Sequence, residues 1–358
     1  MPKIYNKFFT KKDYYRLVGD DAQCFGIREF TCHEGKSDLT RGLNVTTATS
    51  LEYDILTSKG LDIFKLSFKG INISFASKAG LTSPWLTDGQ GWAYRYGLSA
   101  GFMYTAGFSN VGGPQEDIDA YHYAHGSLKD TPAHNVSHST VWNGDDCSLV
   151  IDADITDSAF YGRNLNLHRT ITTPVGTPVI HVCDTIENRS FHDEDVMLLY
   201  HMNFGYPFLC KDLKIYIPIT HAEPITDDTE KSGIAFDSIS DPIDNGKECL
   251  YALKLKSVND RSLYCLYNEK LRLGIYVRYN TRLMPYLIEW KSMVSGDYAL
   301  GLLPSTCKPM GRKWAKENGE MLSIPPFKPL KNEFEIGFID GDNELEPIKS
   351  EINSIIGS

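Results

Sequence analysis

Short strand-like runs follow one another along most of this chain, and clusters of Gly, Pro, Asn and Asp separate them. In one run Leu165, Leu167 and Arg169 share one face, while His168 and Thr170 share the other, which is the period of a half-buried strand. The clearest examples are residues 52–58, 71–77, 148–156, 165–173, 179–188, 196–204, 213–220 and 271–279.

Helical periodicity is scarce by comparison. Its best candidate is the run 11–18, with a weaker one after Arg312. We find no internal repeat and no Ser-, Gly- or Pro-rich linker that would divide the chain. The pattern therefore predicts one all-β domain, spanning residues 1–358 and built from large packed sheets.

The charge balance narrows the class of ligand. Lys and Arg number 36 against 46 Asp and Glu, a net charge of −10, and no long basic run offsets it. A phosphate backbone would be repelled by that average, so nucleic acid is not an expected partner. A neutral small molecule suits this charge better.

Several features together predict a cytoplasmic protein. The first 17 residues carry lysines and no apolar core of a secretory signal, and no stretch approaches the ~18 apolar residues of a membrane helix. The eight cysteines form no C-x-x-C pair, which favours reduced thiols over zinc ligands or a disulfide framework.

Two histidines end strand-like runs. In YHMNFGYP (200–207), His201 follows a buried run and precedes a Gly-Tyr-Pro turn, a position suited to line a cleft. A core histidine bonded to a backbone carbonyl is the alternative, and the residue alone does not decide between them. In AHG (124–126), His125 has a similar setting; His122 fits a solvated loop better.

The order of several motifs extends this picture over nearly the whole chain. The segments that carry it are 16–47, 55–70, WAYRYGLSAGFMYTAGFSNVGGP (92–114), AHGSLKDTPAHNV (124–136), 167–209 and IEWKSMVSGDYALGLLPSTCKPMGR (288–312). Together they resemble the galactose mutarotase (aldose 1-epimerase) superfamily, in particular its bacterial aldose epimerase-like branch, DUF4432. The resemblance implies a β-supersandwich that binds a free aldose or sugar derivative and interconverts its anomers without a cofactor.

The resemblance also implies roles for both histidines. His201 corresponds to the catalytic histidine, the general acid toward the ring oxygen, and His125 to a sugar-binding histidine. The family's general base is a glutamate in a GLEP segment, which here reads GLLP with Leu303 at that position. Leucine cannot accept a proton, so either the activity is lost or another carboxylate supplies the base.

Glu289 is the expected substitute. Residues 285–293 and 297–304 read as a hairpin that brings residue 289 opposite 302–303, although a one-residue register error would point Glu289 away from the cleft. The alternative is that Glu289 pairs with a neighbouring lysine or arginine, such as Lys291 or Arg312. Without a base, the chain would be a silent carbohydrate-binding or regulatory protein; another carbohydrate-active enzyme on the same fold is the third reading.

Further residues complete the expected substrate site. Asn203, Tyr206 and Trp290 would supply hydrogen bonds and a stacking face for a pyranose. The branch's His-Gly-Arg reads His-Gly-Ser here, so Arg95 or Arg312 would replace the missing arginine; Arg169 is a further alternative.

No metal is expected, because the acidic residues Glu116, Asp117 and Asp119 match no specific ligand spacing. The sequence permits a homo-oligomer but does not indicate which strands would pair between subunits.

Overall fold

The computed structural model describes residues 1–5, 7–87, 89–116 and 120–358. Its strands are β1 (Lys3–Ile4), β2 (Lys7–Phe8), β3 (Gly26–Thr31), β4 (Arg41–Thr46), β5 (Leu51–Leu56), β6 (Asp62–Phe68), β7 (Ile71–Asn72), β8 (Met103–Phe108), β9 (Gln115–Glu116), β10 (Tyr121–His122), β11 (His134–Asn143), β12 (Asp146–Ser158), β13 (Asn164–Pro174), β14 (Val179–Asn188), β15 (Glu194–Phe204), β16 (Leu213–Tyr216), β17 (Ile219–Pro224), β18 (Cys249–Leu255), β19 (Arg261–Asn268), β20 (Leu273–Asn280), β21 (Tyr286–Val294), β22 (Asp297–Ser305), β23 (Leu322–Ile324) and β24 (Pro329–Asp340). Its α-helices are α1 (Lys11–Leu17), α2 (Asp227–Ser232), α3 (Arg312–Glu317) and α4 (Asp342–Gly357).

Two large antiparallel sheets dominate the described part of the chain. One has eight strands in the order β11-β12-β13-β14-β24-β20-β19-β16. The other has twelve, in the order β17-β18-β21-β22-β15-β8-β6-β5-β4-β3, with β23 on β15 and β7 on β6. The prediction of an all-β fold is confirmed; the prediction of one domain over residues 1–358 stays a prediction.

Strand alternation places the core between the sheets. In β12, Leu149, Ile151, Ala153 and Ile155 are buried while the residues between them are more exposed, as the period-two pattern predicts. Most strands of the eight-stranded sheet contribute buried side chains to the same apolar cluster as strands of the twelve-stranded one. Burial of that shared surface is what drives the sheets together.

The helices are few, as expected. The predicted helix at 11–18 is α1, whose N-cap Thr10 accepts a hydrogen bond from the backbone N–H of Asp13. The weaker candidate after Arg312 is α3. The 16-residue helix α4 was not predicted, although its buried residues recur at helical spacing and cover the outer face of the eight-stranded sheet: Leu345, Ile348, Ile352 and Ile355.

A buried arginine joins the two sheets. Arg169 on β13 donates through Nε and Nη2 to both oxygens of Asp184 on β14, at 2.8 and 2.7 Å. Its Nη1 donates across the interface to Asp62 on β6 at 3.0 Å, and Nη2 also reaches Thr105 on β8. Tyr200 on β15 donates to Asp184 at 2.6 Å. The alternative role of Arg169 as a substrate-contacting arginine is therefore wrong, because the guanidinium is fully enclosed.

The remaining elements place the site. Strand β15 lies between β8 and β22, near the middle of the larger sheet. Its even-numbered residues Tyr200 and Met202 pack toward the other sheet, whereas Leu199, His201 and Asn203 point to the opposite face. Among the helices of the described residues, none is long and apolar enough to cross a membrane.

Candidate functional site

A cleft of about 610 Å³ opens on the outer face of the twelve-stranded sheet. Strands β8, β15, β21 and β22 form its floor, and the segments 75–79, 92–100 and 112–113 form much of its wall. The side chains at its centre are His125, His201, Tyr104, Trp290 and Leu303. The structure therefore brings together the two histidines that the motifs singled out, which lie 76 positions apart in the chain.

Asn203 fixes the protonation pattern of His201. The Nδ2 group of Asn203 donates to the carbonyl oxygens of Gly101 and His201, at 2.9 and 3.1 Å, so its Oδ1 must face the imidazole. That Oδ1 lies 2.6 Å from Nδ1 of His201 and accepts a hydrogen bond from the Nδ1–H group. In the neutral ring Nε2 therefore carries a free lone pair, and it is the nitrogen of His201 that can accept a proton.

His125 has the opposite pattern. The backbone N–H of Gly112 donates to its Nδ1 at 3.4 Å, so the neutral ring carries its proton on Nε2 and donates from there. The loop geometry needs the following glycine, because a Cβ on Gly126 would lie 1.8 Å from the carbonyl oxygen of Gly107. The two imidazoles meet nearly edge to face, with centroids 5.7 Å apart and planes at 87°.

Both rings are neutral near pH 7. Burial lowers the pKa of His125 to about 4, and the nearby Lys129 ammonium acts in the same direction. Burial, and then the neighbouring His125, lowers the pKa of His201 well below its usual 6.5, although the hydrogen bond to Asn203 opposes the shift. The cleft thus combines one proton acceptor with one hydrogen-bond donor, neither of them charged.

Aromatic rings frame this pair. Tyr104 stacks on His201 with centroids 4.4 Å apart and planes at 15°, and Trp290 meets the same imidazole edge to face at 5.7 Å. Trp290 was predicted from the sequence, but Tyr104 was not. Its signal is positional, since Tyr104 on β8 pairs in register with His201, and this pairing is visible only once the strand order is known.

The expected carboxylate position is apolar in space as well as in sequence. Leu303 is 3% exposed, lies opposite Ile288 in the hairpin, and packs in the same cluster as Leu199. No ionisable side chain replaces it at that point of the cleft floor among the residues that the structure describes.

Glu289 does not fill this gap, which corrects the expectation that it supplies the base. The predicted hairpin exists, and Glu289 pairs with Leu302. However, Ile288 and Trp290 line the cleft, so Glu289 between them points to the other face. There it is fully buried, with Lys291 Nζ 3.8 Å away. Burial raises its carboxyl pKa, so this face favours the neutral acid.

The remaining predicted residues divide into two groups. Arg95, Trp290 and Asn203 line the cleft, although the amide of Asn203 is occupied by its three hydrogen bonds. Tyr206 is 75% exposed in the turn after β15 and does not line the cleft. Arg312 lies outside it too, where its Nη1 donates to the carbonyl oxygens of Ser109 and Asp195. The expected substrate contacts of Tyr206 and Arg312 are thus not supported.

Two carboxylates of the cleft were missed by the sequence reading. Glu248 accepts a hydrogen bond from Nε1 of Trp290 at 2.7 Å, and Asp297 pairs with Lys78 at 2.7 Å. Asp297 begins β22 after the hairpin turn, which is the one signal that could have indicated it. Both carboxylates already have a partner within the cleft.

Metal ligands do not cluster in the part of the chain that the structure describes, where no group of three His, Cys, Asp or Glu side chains converges. Glu116 is exposed on β9, and Asp117 and Asp119 lie outside the described residues.

Comparison with solved structures supports the fold. A proposed aldose 1-epimerase from Klebsiella pneumoniae subsp. pneumoniae MGH 78578 matches with a TM-score of 0.88 at 18% identity, over 94% of this chain and 91% of that one. A galactose mutarotase-like protein from Clostridium acetobutylicum matches with a TM-score of 0.60 at 15% identity, over 89% and 99% of the two chains. Galactose 1-epimerase from Lactobacillus acidophilus NCFM matches with a TM-score of 0.57 at 13% identity, over 89% of this chain and 100% of that one.

Comparison with curated proteins finds no match. The family model described as a domain of unknown function, DUF4432, matches residues 39–337, which is most of the chain. These matches confirm the family resemblance seen in the motifs, and the chain belongs to the DUF4432 family and has the galactose mutarotase-like fold.

Proposed function

We propose that this protein binds a free aldose or sugar derivative and interconverts its anomers, as an aldose 1-epimerase-like isomerase. The observation that supports it best is the pair of neutral imidazoles in the cleft, one with a free acceptor nitrogen and the other with a free donor. Such a pair matches a reaction that moves one proton and needs no charged reagent.

Ring opening transfers the anomeric hydroxyl proton to the ring oxygen. In the proposed mechanism Nε2 of His201 accepts that proton as the bond between the anomeric carbon and the ring oxygen breaks and the aldehyde forms. The resulting imidazolium then returns the proton to the former ring oxygen. In the closed ring the hydroxyl oxygen and the ring oxygen are both bonded to the anomeric carbon, so one imidazole can reach them in turn. Such acid–base catalysis accelerates a reaction by roughly 10²–10⁴-fold.

His125 has a different task. A neutral imidazole is too weak an acid to give up its proton, but its Nε2–H can donate a hydrogen bond to the ring oxygen while negative charge develops there. Rotation of the aldehyde and the reverse sequence produce the other anomer. Trp290 offers an aromatic face to the sugar ring, and the cytoplasm remains the proposed compartment, consistent with eight free thiols.

A silent carbohydrate-binding protein is the second candidate, and the apolar environment of Leu303 is what favours it. The two candidates share the cleft and differ only in chemistry. Two-dimensional exchange NMR on a panel of aldoses would measure anomer exchange, while ligand-observed NMR would measure binding independently.

The variants His201→Gln and His125→Gln test the roles, with the exposed His181→Gln as matched control. We expect exchange to fall by roughly 10²–10⁴-fold in His201→Gln and by about tenfold in His125→Gln, whose amide can still donate. Binding without exchange in the wild type would establish the silent binder. Exchange that survives in His201→Gln would exclude the imidazole shuttle.

A further inference from the structure

The charged side chains that line the cleft differ in whether another side chain pairs with them. Lys78 is neutralised by Asp297 at 2.7 Å, and Glu248 is held by the indole N–H of Trp290. Arg95 also lines the cleft, yet no carboxylate of the described residues pairs with it. Both histidines are neutral, and Lys78 and Arg95 formally balance Glu248 and Asp297, so the cleft lining carries no net charge. Among the described residues that line it, Arg95 is nevertheless the charged side chain that has neither an ion-pair nor a hydrogen-bond partner.

The position of this cation is defined by an aromatic ring. Arg95 belongs to the 3₁₀ helix Gly91–Tyr96, and its Cζ atom lies 4.2 Å from the ring centroid of Trp92. This cation–π contact places the guanidinium over the indole, and its N–H groups remain available to an acceptor. A flat, pre-positioned fork of donors is the group that best recognises a carboxylate or a phosphate.

The stacked pair is connected to the proposed catalytic centre. Trp92 packs beside Gly113, where a Cβ atom would lie 3.6 Å from the indole. The preceding residue, Gly112, is the one whose N–H donates to His125. Arg95 and Trp92 thus lie on the His125 side of the cleft. The two carboxylates that already have partners lie elsewhere, Glu248 beside Trp290 and Asp297 on β22.

We propose that the substrate is an aldose that carries an anionic group, a carboxylate or a phosphate ester, which Arg95 binds while the anomeric carbon lies at His201. The inference rests on the proposed function and adds the substrate class. It also changes the sequence-based expectation of a neutral ligand, since the net charge of −10 of the whole chain says nothing about one cation without an ion-pair partner in the cleft.

The test compares three probes, D-glucose, D-glucuronate and D-glucose 6-phosphate, together with the corresponding galactose series. Dissociation constants and anomer exchange are measured for the wild type, Arg95→Gln, Arg95→Lys and Arg282→Gln. Arg282 is an exposed arginine in the turn after β20, outside the cleft lining, so it matches the charge change.

We expect at least one anionic sugar to bind the wild type about tenfold more tightly than its neutral parent, with the preference weakened by salt. Arg95→Gln should abolish the preference, Arg95→Lys should retain part of it, and Arg282→Gln should leave it unchanged. Whether glucuronate or the 6-phosphate shows the effect distinguishes a carboxylate from a phosphate.

The outcomes separate the two proposals. If the wild type exchanges the anomers of neutral and anionic sugars and binds both with equal affinity, and if Arg95→Gln changes neither affinity, the anion site is overturned and the mutarotase proposal stays intact. Arg95-dependent binding of an anionic sugar without exchange would support the anion site and overturn the mutarotase proposal. Neither binding nor exchange of any probe by the folded wild type would overturn both.

Discussion

The Oδ1 atom of Asn203 accepts a hydrogen bond of 2.6 Å from the Nδ1–H group of His201, which lies two residues earlier on the same strand. The amide cannot turn over, because its NH₂ group is held by the carbonyl oxygens of Gly101 and His201. The backbone of β15 therefore dictates, through one side chain, which imidazole nitrogen faces the cleft as an acceptor. In this site Asn203 is a positioning residue for His201.

Replacing Asn203 by leucine should lower kcat by tenfold or more and change KM little, because the imidazole loses the partner that fixes its tautomer. The unpaired carbonyl oxygens should also cost about 1–3 kcal/mol of unfolding free energy. Asn188→Leu is the matched control, since Asn188 is equally buried and donates to two carbonyl oxygens far from the cleft. Equal kcat losses in the two variants would assign Asn203 a purely structural role.

The pH–rate profile should have a single limb. His201 works from its neutral form, and its pKa lies well below 6.5, so the rate should stay flat from about pH 7 to 9 and fall only on acidification. A separate acid and base would instead give a bell-shaped profile. A second limb on the alkaline side would contradict the single-imidazole shuttle.

The stability of the fold should also decrease on acidification through the histidines. His125 has a folded-state pKa of about 4 against an ordinary 6.5, so between these values the unfolded chain binds a proton that the folded chain does not. The wild type should therefore lose more unfolding free energy than His125→Gln between pH 6.5 and 4. Urea unfolding at both pH values measures this, and equal losses would contradict the assignment.

Glu289→Gln should leave anomer exchange within about twofold of the wild type, because this side chain faces away from the cleft. Its folded-state pKa is raised above the ordinary 4.5 by burial, so stability falls as pH rises beyond 4.5, where the unfolded chain releases a proton that the folded chain keeps. The variant should flatten that slope in urea unfolding between pH 5 and 8. A large loss of exchange would instead restore Glu289 as the base.

Leu303→Glu returns a carboxylate to the position that the family resemblance expects. If His201 alone moves the proton, exchange should change by less than about threefold, while stability should fall by about 1–3 kcal/mol because Leu199 and Ile288 surround the new group with apolar surface. Leu303→Gln controls for polarity without charge. A gain of 100-fold or more over an inactive wild type would identify a silent binder that lacks only its base.

The sequence predicted the fold class because alternation reports directly on burial, and the ordered motifs indicated His201 and His125. The face of Glu289 was beyond its reach. The hairpin was predicted with Glu289 opposite residue 302 or 303. In the structure Glu289 lies opposite Leu302, so its neighbour Ile288 lies opposite Leu303 and shares the cleft face with it. One residue of register decides the face, and turn position alone does not fix it that closely.

Other residues were missed for a different reason. Tyr104 and Glu248 reach the cleft from strands or loops distant in sequence, so only the strand order brings them to His201 and Trp290. Conversely, Tyr206 lies next to the histidine strand in sequence, but the chain turns outward there and leaves the ring in solvent. Proximity along the chain was a poor guide once a strand had ended.

The guanidinium of Arg169, held by Asp184 on one sheet and Asp62 on the other, has a consequence for engineering. A chimaera that joins the histidine-bearing sheet of this chain to the opposite sheet of a relative would leave a buried charge without a partner, unless it contains the arginine and both aspartates. The unit that can be recombined is thus the pair of sheets, and a designer should treat the far sheet as part of the cleft's foundation.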